Sequence, residues 1–440
     1  MRSVRSIINV RRDEVPFVLA MFGYFLLVIT SFWILKPIKK ALFISYYDAA
    51  GITFLPIHRT AAQGELIAKV LNMVVAIVAT IVFTQLARRW RRQQLTYVFT
   101  AFTLVCYGLY YFLVQAPGDI TVWTFYLFGD LFNTLMVATF FAFLNDSVSA
   151  EASKRVYGPV VFGGVLGGVI GSTFVAAWVE RVATSTWVGV CAVLALGIWG
   201  AAALAGRTVG PMQPAEPAQA APAPARPATS TMDAARLVWR SPYLLSIVAV
   251  VGLYEIASTL LDFMFTSTVA YYLNGPAIGA HLARVFTITN WVSMLVQIFV
   301  TSFVMTRFGV GTALLVLPLA MLCASTSYLL FPTLWIGSLL NTADNGFSYS
   351  VNQSAKEALY VPTTRDEKYQ AKAVIDMFVQ RFAKTVAVFL SLLVTTLFTN
   401  FGAIRWLSLA VIALAAVWLP VVRYAGREFE RRTKAAPRSA

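Results

Sequence analysis

The sequence predicts an all-α membrane protein of twelve transmembrane helices in two six-helix halves. Three observations carry that expectation. Hydrophobic residues make up 58% of the 440 and only 12% are charged, with a mean hydropathy of +0.70; soluble domains carry roughly twice that charged fraction. Apolar stretches of about 20 residues, the length that spans a bilayer, recur along the chain. A Pro/Ala-rich segment separates the first six stretches from the last six.

Residues 16–36 form the first expected span, preceded by Arg2, Arg5, Arg11 and Arg12. Basic residues before an apolar run resemble a signal peptide, but this run is too long and no small-residue cleavage site follows. Residues 41–44 remain apolar, so the helix can run on to Tyr46, kinked rather than ended at Pro37. Residues 66–86, 95–115, 122–144, 159–179 and 186–204 complete an N-terminal half, 1–206. Span five carries Gly163, Gly164, Gly167, Gly168 and Gly171, a small-residue stripe that lets helices approach closely. Residues 207–233, with Pro211, Pro214, Pro217, Pro222, Pro224 and Pro227, can bury no core and read as an extended, flexible cytoplasmic linker. Residues 243–273, 285–305, 312–331, 334–351, 373–397 and 404–422 form the C-terminal half, 234–440.

Lysine and arginine set the orientation. The N-terminus, the 88–92 cluster, Lys154–Arg155, 236–240, Arg307, 356–372 and the 423–434 tail all fall on one side. The opposite loops are poor in basic residues, with Lys39, Lys40 and Arg59 as exceptions. By the positive-inside rule both termini are cytoplasmic, with the chain multi-pass in the inner membrane. The same clustering explains the net charge of +15 without nucleic acid as a partner. Six spans, a linker and six more spans match the major facilitator plan.

Charges inside the spans are the chemically informative residues. An ionised group at bilayer depth costs from about 3 to more than 10 kcal/mol, so such residues face a wet cavity or a partner. Span seven carries Glu255, Ser258, Thr259, Asp262 and Thr266 on one helical face; span ten carries Asn341, Asp344, Asn345, Ser348 and Asn352. Span eight repeats the stripe more mildly with Asn290, Ser293, Gln297 and Thr301. Polar stripes also serve as interhelical hydrogen-bond glue. In span eleven Arg381 and Lys384 are three residues apart and need counter-charge, which Asp376 supplies in part. An anionic substrate would supply the rest; a permanent salt-bridge network is the bland alternative. Lys36 and Lys40, near the end of span one, are expected to snorkel to the interface, whereas Lys39 can reach a central cavity. Asp130 lies in span four; in span two Glu65, Lys69 and Asn72 are spaced i, i+4 and i+7, and Glu65 with Lys69 reads as a local ion pair.

No hydrolytic triad, zinc-protease motif or paired-cysteine site occurs, so neither an enzyme nor a cofactor or metal is expected. His58 and His281 fall in expected external loops, and Cys106, Cys191 and Cys323 read as small buried hydrophobes.

Three stretches are similar to a known family. Leu35-Lys36-Pro37-Ile38-Lys39-Lys40-Ala41-Leu42 resembles the span-one segment of the nucleotide transporters, the ATP:ADP antiporters of plastids and obligate intracellular bacteria. Glu151-Ala152-Ser153-Lys154-Arg155-Val156-Tyr157-Gly158 resembles their loop after span four. The block from Lys356-Glu357 through Tyr360, Pro362, Lys372 and Asp376 to Arg381 and Lys384 is the most specific match. The resemblance implies a divergent bacterial antiporter that moves a small anionic solute across the lipid bilayer; the chain is expected to be a monomer. It maps the family's two lysines and two glutamates to Lys39, Asp130, Asp262 and Lys384. Both acids here are aspartates, the span-one aspartate is Lys40, and glycines around the last lysine become Ala383, Thr385, Val386 and Ala387.

The leading expectation is therefore exchange of a nucleotide by alternating access. Lys39 and Lys384 would neutralise phosphates at the midplane, with Arg381 in support. The first alternative is a proton-coupled carrier of another solute, with Glu255, Asp344 and Asp376 as coupling groups. The second is a non-transporting lipid-handling or scaffold protein.

Overall fold

Apolar helices that satisfy their own backbone hydrogen bonds are the one way an open chain of this composition can cross lipid. The computed structural model describes residues 10–48, 51–52, 59–209, 231–363, 375, 379–397 and 401–435. In chain order the helices are α1 (Val15–Tyr46), α2 (Ala61–Arg89), α3 (Arg92–Leu113), α4 (Asp119–Ser147), α5 (Ala150–Trp178), α6 (Thr184–Arg207) and α7 (Thr231–Arg240). They continue as α8 (Pro242–Tyr272), α9 (Pro276–Leu295), α10 (Ser302–Leu330), α11 (Leu334–Phe347), α12 (Gln353–Ala358), α13 (Gln380–Leu397) and α14 (Leu407–Ala435). Most of the linker lies outside the described residues.

Local chemistry sets the helix starts. Thr60 and Gln63 close a reciprocal capping box on α2, with Thr60 Oγ1 accepting from the Gln63 N–H and Gln63 Oε1 from the Thr60 N–H. Ser149 caps α5, and Ser241 followed by Pro242 starts α8. Helix α1 runs through Pro37 to Tyr46.

Ten stretches among the described residues are long and apolar enough to cross a membrane. Nine of the twelve expected spans each coincide with one of them, and spans eight and nine share the stretch Pro276–Leu330. That stretch is divided at Gly309, whose φ of 83° and ψ of 170° leave the helical region. Expected span ten is not among the ten, because its polar stripe of Asn341, Asp344, Asn345 and Ser348 leaves it less apolar than the other stretches; its helix α11 passes into a π-helical segment, Ser348–Asn352. A second π segment, Val296–Thr301, packs against it. Mid-helix π turns are often found at functional sites.

The chain divides into two compact units: Met1–Gln219 with Asn274–Asn290, and Ala220–Leu273 with Trp291–Ala440. In the first, α1 is the central element, packed by α5, α6, α4 and α2. The glycine stripe of α5 lies against it: a Cβ at Gly163, Gly167 or Gly171 would sit 2.5–2.6 Å from the carbonyl oxygens of Phe22, Leu26 and Thr30. Backbone thus touches backbone, and α1 is held without intervening side chains. Aromatic packing closes the other side, with Phe25 stacked on Phe140 at 4.3 Å. In the second unit, α8 is packed by α14, α13 and α11, and α10 by α14 and α11.

Two minor expectations are corrected here. His281 is buried within α9 rather than exposed in a loop, because that helix begins at Pro276, well before the apolar core of span eight; His58 lies outside the described residues. Of the cysteines, Cys191 alone is fully buried, while Cys106 is intermediate and Cys323 is exposed, because an apolar run places a residue in a helix without fixing which face it takes.

At the start of α1, Glu14 ties the helix to α5. Its Oε1 meets Arg155 Nη2 at 2.7 Å and its Oε2 accepts the Arg11 N–H at 3.0 Å. The Arg155 hydrogen bond holds the Glu14 carboxyl below its ordinary value of 4.5, against the opposing effect of burial. A lowered folded-state value means that this stabilisation is complete above pH 4.5 and lost as pH falls below it through the folded value. Glu14→Gln should therefore melt earlier than the wild type at neutral pH. The difference should narrow on acidification below pH 4.5, as measured by thermal unfolding in detergent.

Candidate functional site

In the first unit the charges meet on the faces of α1, α2 and α4. Lys39 lies two residues beyond Pro37, which has no N–H to donate to the preceding turn. Its side chain is only 4% exposed. The ammonium forms an ion pair with Asp130 Oδ1, donates to the Tyr126 carbonyl at 3.3 Å, and lies 4.4 Å from the centre of the Tyr126 ring. Asp130 is 38% exposed and takes a second hydrogen bond from Asn72 Nδ2 of α2. Gly129 makes room for the lysine stem, since a Cβ there would lie 2.6 Å from Lys39 Cδ.

A second cluster adjoins it. Glu65 is fully buried; Lys40 reaches its Oε1 at 3.2 Å and Lys69 its Oε2 at 3.4 Å. The Tyr126 hydroxyl donates to Glu65 Oε1 at 2.8 Å. The local Glu65–Lys69 pair is present, but Lys40 does not snorkel: it is 4% exposed and turned onto a carboxylate. A lysine next to a span end goes to the interface only where no buried acid is closer, and here α2 supplies one. Lys36 does not snorkel alone either, because its ammonium lies 4.4 Å from the Trp33 ring and 5.0 Å from that of Phe286. Aromatic faces attract a cation at that range.

In the second unit, Lys384 of α13 pairs with Glu255 of α8 at 3.5 Å. Glu255 is thus the carboxylate joined to Lys384, while Asp262 stands two turns further along the α8 stripe, half-buried. Asp376 lies outside the described residues. Arg381 is half-buried one turn before Lys384 on α13. Asp344 of α11 is buried and accepts the Ser258 hydroxyl at 2.6 Å, so the stripes of α8 and α11 do face each other. Thr259 and Thr266 instead bond carbonyls of their own helix.

Tyr126 and Gly129 escape sequence reasoning as parts of this site, and the spacing that marks Asn72 does not tie it to Asp130, although a signal exists for each. Tyr126 precedes Asp130 by four residues and so shares its helical face, Gly129 adjoins Asp130, and Asn72 follows Glu65 and Lys69 at helical spacing. Chemically the arrangement can hold an anion. Each unit presents an ion pair with one partly exposed member, Asp130 in the first and Lys384 in the second, that a stronger anionic ligand can open. Among the described residues no cluster of His, Cys, Asp and Glu could hold a metal ion.

Known proteins place the chain. A model of the TLC ATP/ADP transporter family matches residues 116–333 and 327–429. ADP,ATP carrier protein 2 of Chlamydia trachomatis is 26% identical over 45% of this chain and 41% of its own length. ADP,ATP carrier protein 1 of the same organism is 22% identical over 68% and 64%, so the chain spans less than two thirds of either relative. ADP,ATP carrier protein 1 of Chlamydia muridarum is 23% identical over 93% of this chain and 88% of that carrier. Among solved structures, a bacterial homologue of the human lysosomal transporter Spinster aligns with TM-score 0.59 at 11% identity, covering 96% of this chain and 99% of the other. The nucleoside transporter NupG aligns at 0.56 and 13%, covering 96% and 100%. These likenesses establish the major facilitator fold. With its family model matched over more than half of its length, the chain belongs to the TLC ATP/ADP transporter family, a family of transporters rather than enzymes.

Proposed function

We propose that the protein exchanges nucleotides across the inner membrane by alternating access, as a monomer with both termini in the cytoplasm. The observation that carries this reading is the buried Lys39 ammonium held by a carboxylate that is itself partly exposed. Removing one partner of a buried ion pair costs about 3–5 kcal/mol, so Lys39 keeps a counter-charge throughout the cycle. A substrate phosphate takes the place of Asp130, and Asp130 returns when the phosphate leaves. Lys384 and Glu255 form the corresponding pair of the second unit, with Arg381 adding charge beside it and Asp262 available as an alternative carboxylate on the same stripe. The substrate class comes from the names of the chlamydial relatives, ADP,ATP carriers. Exchange, rather than one-way movement, follows where the empty carrier, with both cations re-paired, reorients slowly.

A second reading has support in Asp344, a buried carboxylate with a short hydrogen bond from Ser258. In a proton-coupled carrier, Asp344 and Glu255 would gain and lose the coupling proton. Uptake that collapses with the pH gradient and ignores added ADP would favour that mechanism over exchange.

In proteoliposomes loaded with ADP, labelled nucleotide uptake should fall on the order of 100-fold in Lys39→Ala and in Lys384→Ala. Gly129→Ala should reduce uptake about tenfold at normal expression, because the new methyl displaces the Lys39 stem. Wild-type uptake in either lysine variant would contradict the reading.

A further inference from the structure

Tyr126 is engaged at three places at once. Its carbonyl accepts from the Lys39 ammonium, its ring lies beside that ammonium, and its hydroxyl is tied to Glu65. Glu65 is fully buried and held in turn by Lys40 and Lys69, so the hydroxyl has a fixed anchor. Lys39 and Lys40 are consecutive on α1 and leave the helix about 100° apart; one turns toward α4 and the other toward α2, and Tyr126 joins the two clusters.

We propose that Tyr126 is the positioning residue of the Lys39 ammonium, with Glu65 as its anchor. This deepens the reading of Lys39 as a substrate-binding group and rests on it. Lys39 is nearly inaccessible while Asp130 is partly exposed, so a phosphate approaches by way of the carboxylate it displaces. During that replacement the ammonium keeps two contacts that do not move with the substrate, the Tyr126 carbonyl and ring. A lysine stem left without them would have to be ordered at the moment of binding, at a cost in affinity. Tyr126 therefore acts on substrate affinity rather than on the rate of reorientation.

Kinetics of ADP exchange in proteoliposomes, with ADP binding to the purified protein followed by thermal shift, test this assignment. Tyr126→Leu, which removes ring and hydroxyl, should raise KM for ADP about tenfold with maximal rate within about twofold. Tyr126→Phe, which keeps the ring and loses the anchor, should raise KM about threefold. A folded Tyr126→Leu with wild-type KM overturns the proposal, as does a maximal rate that falls while KM stays constant. Where the leucine variant fails to fold, an unchanged KM in Tyr126→Phe does the same. If ADP binds Lys39→Ala as well as wild type, the parent reading fails and this one with it; if Lys39→Ala loses ADP while both Tyr126 variants keep wild-type KM, positioning alone fails.

Discussion

A positive charge buried in an apolar helix bundle has to be matched, and the Lys39–Asp130 pair is how the first unit meets that constraint. The ammonium has little water to turn to, being 4% exposed. Its surroundings are therefore organised about it: an acceptor carbonyl, an aromatic face, a carboxylate with its own amide donor, and a glycine where any other residue would strike the stem. Satisfied pairs of this kind add little net stability compared with apolar packing. Their presence is better explained by use than by stability, since a matched pair can be opened by an anion that takes over the match.

The close contact of α5 with α1 serves the same site. With carbonyls of α1 lying where glycine side chains would begin, the lysine-bearing helix is fixed by backbone packing over several turns. Side-chain rearrangement along that interface is limited, which keeps Lys39, Lys40 and their partners on α2 and α4 in register. The second unit is built differently. Lys384 is 43% exposed and its pair with Glu255 is longer, and two π-helical segments pack together beside the polar stripes. There the lysine is the more exposed member of the pair and Glu255, at 13%, the less exposed, the reverse of Lys39 and Asp130.

Much of the fold was legible because hydropathy and spanning length report burial directly. Charges stranded in apolar runs likewise marked Asp130, Glu255, Asp262, Arg381 and Lys384, and the family resemblance added Lys39. The partners were harder to read, because they come from helices far apart in sequence. Periodicity puts Glu255 and Asp262 on one face of α8 but does not say which one Lys384 reaches. Lys40 and Lys39 look alike in sequence, and the difference lies in Glu65 on another helix. The Gly309 break falls in the connection expected between spans eight and nine, but the π segment of span ten cannot be told from an α-helix by pattern.

The most direct measurement is the ADP-induced thermal shift of Asp130→Asn beside that of the wild type. If substrate phosphate and Asp130 compete for the same ammonium, removing the carboxylate leaves Lys39 without its counter-charge, and ADP restores it. The variant should then melt earlier without ligand and be stabilised more strongly than wild type by the same ADP concentration. A variant that ADP stabilises less than wild type, or not at all, would contradict displacement of Asp130 as the binding event.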